Sequence, residues 1–161
     1  MITISRILYP TDFSDLSVRA LEYAQWLALR LEAELHCLHV VDDSYQYWIA
    51  TDVSAMPVGP PIEEVLQESS HRLEQFLSDH LGKSFACHKA TRRGQAAQEI
   101  VQYAITEQID LVVMGTHGRT ALGQVLVGSV AKKVVRKSPC PVMTVRASQL
   151  PQEAGGEPGP V

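Results

Sequence analysis

Two short glycine-rich segments carry residues that could hold a phosphate group. The first is Gly115-Thr116-His117-Gly118, and the second is Gly128-Ser129. Glycine lets the backbone approach an anion closely, and unpaired N–H groups at the start of a helix point towards it. A Ser hydroxyl is also a favourable N-cap. The two segments therefore predict a phosphate-binding loop that ends where a helix begins, with Ser129 capping that helix.

Two ionisable side chains lie inside this loop. His117 and Arg119 could each neutralise phosphate charge, and the imidazole of His117 could also move a proton. Each has a simpler interpretation as well: His117 as an exposed loop residue, and Arg119 as a solvated charge or a contact between subunits. The residues alone leave these alternatives open.

Other common phosphate and metal patterns are absent from the sequence. There is no GxxxxGK[ST] segment, which argues against a P-loop NTPase. The turn after the first predicted strand has no glycine, which argues against GxGxxG dinucleotide binding. The histidines outside the loop share no ligand spacing, so no metal site is predicted; they are His36, His39, His71, His80 and His88.

The composition is typical of an ordinary globular protein. A chain of 161 residues is long enough for one domain with its own core. The formal net charge of −4 argues against broad nucleic-acid binding. No run approaches the ~20 apolar residues that span a bilayer, and the first residues lack the apolar core of a signal peptide. Cys37, Cys87 and Cys140 form no CxxC pair, which favours free thiols in a reducing compartment. We therefore expect a cytoplasmic protein without a membrane segment.

Strand-like and helix-like segments alternate along the chain. Short apolar runs predict strands over 4–9, 35–41, 85–90, 110–114 and 142–145. Apolar residues at helical spacing predict helices over 17–32, 62–81, 96–107 and 129–136. Within them, Leu31 and Ile105 are among the residues expected to face the core. Residues 43–61 have no clear period and predict a long loop, and Arg92-Arg93-Gly94 predicts a turn.

This alternation predicts an α/β fold with a mainly parallel sheet covered on both faces. We expect one domain over 1–147 and a disordered tail over 148–161, which is rich in Pro, Gly, Glu and Gln. In open parallel sheets, ligands lie beyond the carboxyl ends of the strands. Asp12, the Val40-Val41-Asp42 segment and the Gly115 loop follow three of the predicted strands. They are therefore the expected site.

At both ends the chain resembles the universal stress protein family. The opening Ile7-Leu8-Tyr9-Pro10-Thr11-Asp12-Phe13-Ser14 is similar to that family's start. The segments 115–120, 126–131 and 140–145 are similar to its ATP-binding carboxyl half. The resemblance covers roughly residues 2 to 146. It implies an open five-stranded parallel sheet of order 3-2-1-4-5, with helices on both faces, in the adenine nucleotide alpha hydrolase-like group.

The resemblance also implies roles for individual residues. Pro10, Thr11 and Asp12 would line the adenosine end, with Asp12 accepting hydrogen bonds from ribose or adenine; its alternative role is to cap the first helix. Val40 or Val41 would form a wall for the base, unless they are plain core, and Met114 and Gly115 would touch ribose. The predicted phosphate contacts come from residues in or after the loop: His117, Gly118, Arg119, Gly128, Ser129 and Val130.

Two functions are compatible with this set of residues. The first is a sensor or regulator that binds ATP or AMP, with Mg²⁺ or Mn²⁺ accompanying the phosphates. The resemblance implies that it works as a homodimer, often paired through the last strand, Val142–Val145, which would otherwise be an exposed edge. The alternative is a weak ATPase or an enzyme of phosphoryl or adenylyl transfer. Because no paired carboxylates and no Walker-type Lys lie near the loop, no catalytic residue is predicted.

Overall fold

The computed structural model describes residues 3–42, 60–82, 85–116 and 128–146. Five strands alternate with four helices within these ranges. The strands are β1 (Arg6–Thr11), β2 (Glu34–Val41), β3 (His88–Arg93), β4 (Leu111–Gly115) and β5 (Val142–Val145). The helices are α1 (Asp15–Leu31), α2 (Ile62–Leu81), α3 (Ala96–Thr106) and α4 (Ser129–Lys137).

The strands form one parallel sheet in the order β3-β2-β1-β4-β5. This confirms the predicted fold class and strand order. The chain leaves β1 on one side to build β2 and β3, and later crosses back to build β4 and β5. The strand order therefore reverses between β1 and β4, where parallel sheets of this kind open a crevice.

Alternation along β1 divides the core between the two faces of the sheet. Ile7 and Tyr9 belong to a buried cluster with residues of α1 and α2, and Leu8 belongs to a second cluster with residues of α3 and α4. Successive strand side chains point to opposite faces, which explains the division. Helices thus cover both faces, as predicted. None of these four helices combines the length and the hydropathy needed to cross a membrane.

Residues around Pro10 explain why the sheet opens at the reversal point. The carbonyl of Ser5 accepts from Glu34 in β2, and the carbonyl of Arg6 accepts from the residue before β4. Since strand residues alternate sides, the nitrogen of Pro10 faces β4, and proline has no N–H to donate. The β1–β4 pairing ends at Leu8, whereas the β1–β2 pairing continues to Thr11. The strand prediction that ended at residue 9 was two residues too short, because β2 alone pairs the last two positions.

The predicted boundary of the third strand was wrong. The structure begins β3 at His88 rather than at 85, and places Arg92 and Arg93 in the strand rather than in a turn. Both arginines pair with the end of β2. This backbone pairing sets the end of β3, which the weak alternation of the sequence did not predict. The turn follows at Gly94, whose φ of 144° is accessible mainly to glycine.

Two helix residues expected in the core are exposed. Leu31 is 44% exposed at the end of α1, and Ile105 is 53% exposed on α3. On α3 the buried position is taken by Tyr103, which is 5% exposed and hydrogen-bonds to His36. The face of α3 that meets the sheet is therefore rotated from the face that its aliphatic residues define. By contrast, α2 matches the predicted range 62–81 and ends at Gly82, with φ 79°.

Several predictions fall outside the described residues. These are the loop 43–61, except for Pro60 and Pro61, and the tail 148–161. The proposed domain limits of 1–147 and 148–161 therefore stay a prediction.

Candidate functional site

A cleft opens at the carboxyl edge of the sheet, where β1 and β4 separate. It encloses about 780 Å³, counting the space at its open mouth. Its walls come from the ends of β1, β2 and β4 and from the first turns of α3 and α4. The lining residues are Pro10, Thr11, Asp12, Ser17, Leu38, Val40, Ala96, Ile100, Met114, Gly115, Thr116, Gly128, Ser129, Val130 and Ala131.

One side of the cleft is apolar. Leu38 and Val40 extend from β2, Ile100 from α3, and Met114 from β4. Leu38, Ile100 and Met114 also belong to the buried cluster beneath them, so these walls are fixed by core packing. Such a surface suits a flat, weakly polar group such as a purine ring, because ligand pockets combine apolar walls with a few polar groups that set orientation.

Asp12 is held at the cleft by the turn between β1 and α1. Its Oδ1 accepts from the amide of Ser14 at 3.0 Å and from the hydroxyl of Ser14 at 2.6 Å. Ser14 is itself the N-cap of α1, with its Oγ accepting from the amide of Ser17 at 3.3 Å. Asp12 therefore supports the cap rather than serving as the cap, which corrects the alternative role suggested for it. The two bonds from Ser14 orient the carboxylate beside the cleft.

A second set of bonds fixes the floor of this turn. The hydroxyls of Thr11 and Ser17 lie 2.9 Å apart, and the buried hydroxyl of Tyr9 donates to the carbonyl of Ser17 at 2.8 Å. Burial raises the pKa of Tyr9 far above its usual value, so Tyr9 stays a neutral donor. The cleft thus has a rigid polar floor beneath Asp12.

The start of α4 forms the third wall. The N-cap is Gly128, with no side-chain cap, and Ser129 is the first residue of the helix. The prediction of Ser129 as the N-cap was therefore wrong by one residue, because Gly128 already supplies the first helical carbonyl, which accepts from Lys132 at 3.0 Å. The bond from Lys132 is the first within the helix. No acceptor within the helix is therefore available to the three amides before it, those of Ser129, Val130 and Ala131.

Charge at this helix end favours an anion. The first turn of α4 contains no acidic residue, and its last turn carries Arg136 and Lys137. The helix dipole places partial positive charge at the N-terminus, where negative groups are stabilised by roughly 0.3–1 kcal/mol each. Among the described lining residues, Asp12 carries the one charged side chain. Phosphate contacts from the described residues would therefore come from amides and hydroxyls.

The structure brings together nine of the thirteen predicted site residues. They are Pro10, Thr11, Asp12, Val40, Met114, Gly115, Gly128, Ser129 and Val130. Val41 does not line the cleft; its carbonyl accepts from the amide of Gly94 at 3.0 Å, which anchors the β3–α3 turn. His117, Gly118 and Arg119 lie outside the described residues.

Sequence reasoning missed some lining residues. Thr116 is 1% exposed and links β4 to α4, and Ser17 underlies the β1–α1 turn. Thr116 stands inside the glycine motif, and Ser17 lies three residues after the capping Ser14, so both had a usable signal. Ala96 and Ile100 carry no such signal, because their place in the cleft depends on how α3 packs.

The sequence was compared with models of known protein families. The family model described as the universal stress protein family matches residues 3–146. The chain belongs to the universal stress protein family. Among its relatives is universal stress protein MJ0531 of Methanocaldococcus jannaschii, 33% identical over 88% of this chain and 81% of the relative. A universal stress protein of Thermus aquaticus is 33% identical over 87% of this chain and 97% of its own.

Solved structures share the fold of this family member. The structure of MJ0577, also from Methanocaldococcus jannaschii, has a TM-score of 0.75 at 27% identity and covers 92% of this chain and 100% of its own. UspA from Lactobacillus plantarum has a TM-score of 0.65 at 29% identity, covering 89% and 99%. A universal stress protein in complex with cAMP shares the fold with a TM-score of 0.58 at 23% identity, covering 91% and 99%.

Proposed function

We propose that the protein binds an adenine nucleotide, ATP or AMP, in the cleft between β1 and β4. The observation that carries the proposal is the meeting of residues from four separate segments of the chain. The β1 end, the β2 end, the β4 end and the start of α4 all line one cleft. Nine residues selected from the sequence for nucleotide contact are among its lining residues.

The chemistry of the walls suggests an orientation for the nucleotide. The apolar side formed by Leu38, Val40 and Ile100 would take the base. Asp12, held by Ser14, would accept hydrogen bonds from ribose hydroxyls or the adenine amino group. The phosphates would lie at the start of α4, where amides and the exposed hydroxyl of Ser129 can donate. With ATP, a Mg²⁺ or Mn²⁺ would be carried by the phosphates rather than by a protein cage.

Family membership supports this ligand class. The cAMP complex of a protein with this fold means that the fold accommodates an adenylate in that protein. Within this chain, the segments 115–120 and 126–131, which resemble the ATP-binding half of the family, include the cleft residues Gly115 and Gly128.

A sensor or regulator of the stress response accounts for the site better than an enzyme does. The described lining residues offer one carboxylate, that of Asp12, and no second acid or base to pair with it. Proton transfer at a reacting group needs a positioned acid or base. In this proposal, nucleotide binding in the cytoplasm is read out through a homodimer that pairs at β5, the strand at the edge of the sheet.

Calorimetric titration of the full chain tests the proposal. ATP and AMP should bind with one site per chain, and GTP should bind at least about tenfold more weakly, a difference of about 1.4 kcal/mol. At 100 times its dissociation constant, ATP should stabilise the fold by about 2.7 kcal/mol, read as a rise in melting temperature. ADP release should stay far below the ~1 per second that marks slow ordinary enzymes. No heat and no thermal shift with either nucleotide would refute the binding site.

A further inference from the structure

Three potential metal ligands meet at the amino-terminal ends of β2 and β3, whereas the cleft lies at the carboxyl ends of the strands. Glu34 and His36 lie near the start of β2, and His88 is the first residue of β3. The strand register places His36 directly beside His88, and Glu34 lies two residues before His36 on the same face. One ligand atom from each of the three lies within 4.8 Å of the others.

The distances are close to those of a coordination shell. Oε2 of Glu34 lies 3.7 Å from Nε2 of His36 and 3.8 Å from Nε2 of His88. In a tetrahedral zinc site with bonds of ~2.0–2.1 Å, ligand atoms are about 3.3 Å apart. If Oε2 of Glu34 moved about half an ångström closer to each Nε2 atom, both distances would match the separation of ligand atoms in a zinc site. Glu34 and His88 side chains are 59% and 61% exposed, so both have room to adjust.

His36 supplies an independent sign of a missing partner. Its side chain is 5% exposed, and its Nε2 is buried with no hydrogen-bond partner. Buried polar atoms are almost always satisfied, so an orphaned ring nitrogen 3.7 Å from a carboxylate and beside a second imidazole needs an explanation. A metal ion between the three side chains would satisfy it.

The other ring nitrogen of His36 contacts a side chain of α3. Nδ1 lies 3.0 Å from the hydroxyl of Tyr103, an outer contact that fixes the ring with Nε2 near Glu34.

Two contacts compete with a metal ion. The guanidinium of Arg6 lies 3.6 Å from Oε2 of Glu34, and the rings of His36 and His88 stack with centroids 4.5 Å apart. Arg6 also donates to the carbonyl of Glu107 and to Gln108, so it keeps partners if Glu34 turns away. The stacked rings would have to tilt, and the exposed His88 is the side chain free to do so.

We propose that Glu34, His36 and His88 form a binding site for a divalent transition-metal ion of the zinc type. Two imidazoles and one carboxylate are a donor set that zinc accepts, with a fourth position left for water. The site would fasten the start of the edge strand β3 to β2. His36 precedes Val40 by four residues, about 13 Å along the strand, so the metal site and the nucleotide cleft are separate.

Calorimetric titration of Zn²⁺ into the untagged, chelator-treated full chain tests the site. We expect one Zn²⁺ per chain, and binding weakened at least tenfold by His88→Ala and by Glu34→Gln, two exposed positions whose substitution leaves the core intact. His71→Ala, which removes an exposed histidine from α2, is the matched control and should bind Zn²⁺ like the natural chain. Tyr103→Phe should weaken binding by about tenfold or more, since it removes the contact that orients His36.

Two further readouts separate this site from other sources of binding. Co²⁺ should bind without the intense near-ultraviolet absorption of thiolate ligation, because Cys37 lies in the buried cluster on the other face of the sheet and Cys87 packs against that cluster. Zn²⁺ should raise the melting temperature of the natural chain but not that of His88→Ala. Unchanged Zn²⁺ affinity in both His88→Ala and Glu34→Gln, or no Zn²⁺ binding at all, would overturn the proposal. Neither result depends on nucleotide. The metal-site proposal can therefore be refuted without refuting the nucleotide-binding proposal, and the reverse also holds.

Discussion

The amide of Gly128 donates a hydrogen bond of 2.6 Å to the carbonyl of Thr116. Thr116 is in turn tied to β5, because its own amide donates to the carbonyl of Val145 at 2.9 Å. These two bonds hold the first turn of α4 against the end of β4. These bonds are enough to place the helix N-terminus facing the cleft.

A negative charge at the start of α4 should repel the nucleotide. Ser129→Asp is expected to weaken ATP binding at least tenfold, about 1.4 kcal/mol, because a fixed carboxylate would occupy the end of the helix that favours phosphate. Ser129→Asn has nearly the same size without the charge and is the matched control. Calorimetry on both variants measures the difference. Equal ATP affinity for the two would show that phosphate does not lie at this helix end.

Loss of the Ser14 hydroxyl should affect stability and nucleotide binding together. Ser14→Ala removes the cap of α1, worth about 1 kcal/mol, and the 2.6 Å bond that orients Asp12. Urea unfolding should show the loss of stability, and calorimetry a weaker ATP complex. Ser78→Ala, on the exposed side of α2, is the control and should change neither. Lower stability with unchanged ATP affinity would mean that the hydroxyl of Ser14 does not orient Asp12 for the ligand.

The proposed dimer should depend on an amide of β5. Val112 donates to the carbonyl of Pro141, and Thr116 to that of Val145, so alternation turns the amide of Thr144 away from β4. Thr144→Pro removes that outward donor and should convert the dimer to monomer, whereas Thr144→Val should not. Light scattering coupled to size-exclusion chromatography gives the mass of each variant. A Thr144→Pro protein that stays dimeric would place the interface elsewhere.

Cys87 should react with alkylating reagents at lower pH than an ordinary thiol does. A hydrogen bond from Cys37 and the charge of Lys89 lower the pKa of Cys87 to about 7, while the pKa of the buried Cys37 is raised. Because the thiolate is the reactive form, the alkylation rate should rise through pH 7 and level off above pH 8. Iodoacetamide labelling read by peptide mass spectrometry measures this profile, and Lys89→Gln should shift it upwards. A midpoint near the unperturbed 9.0 would contradict the contact between the two sulfurs.

The parallel α/β sheet and the location of the cleft could be predicted from local patterns, whereas the strand order came from the resemblance to the universal stress protein family. Segments with strand and helix periodicity alternate along the chain, which predicts a parallel sheet. Because parallel strands bring their carboxyl ends to one edge of the sheet, Asp12, Val40 and Gly115 meet there. The exposure of Ile105 and the burial of Tyr103 could not be read from periodicity, since both depend on how α3 is rotated against the sheet.

The His36–His88 pair of the proposed metal site also could not be predicted from the sequence. The two residues lie on different strands, and spacing along the chain carries no information on their register. The expectation of no metal site rested on that spacing alone. Only the paired strands reveal that Glu34 and both imidazoles share one face.

A crystal structure of the full chain soaked with excess ATP tests the central claim most directly. The account predicts an adenylate in the cleft, with its base against Val40, its ribose near Asp12 and its phosphates at the amides of Ser129 and Val130. A cleft filled by side chains or ordered water, with the nucleotide bound elsewhere or absent, would contradict it.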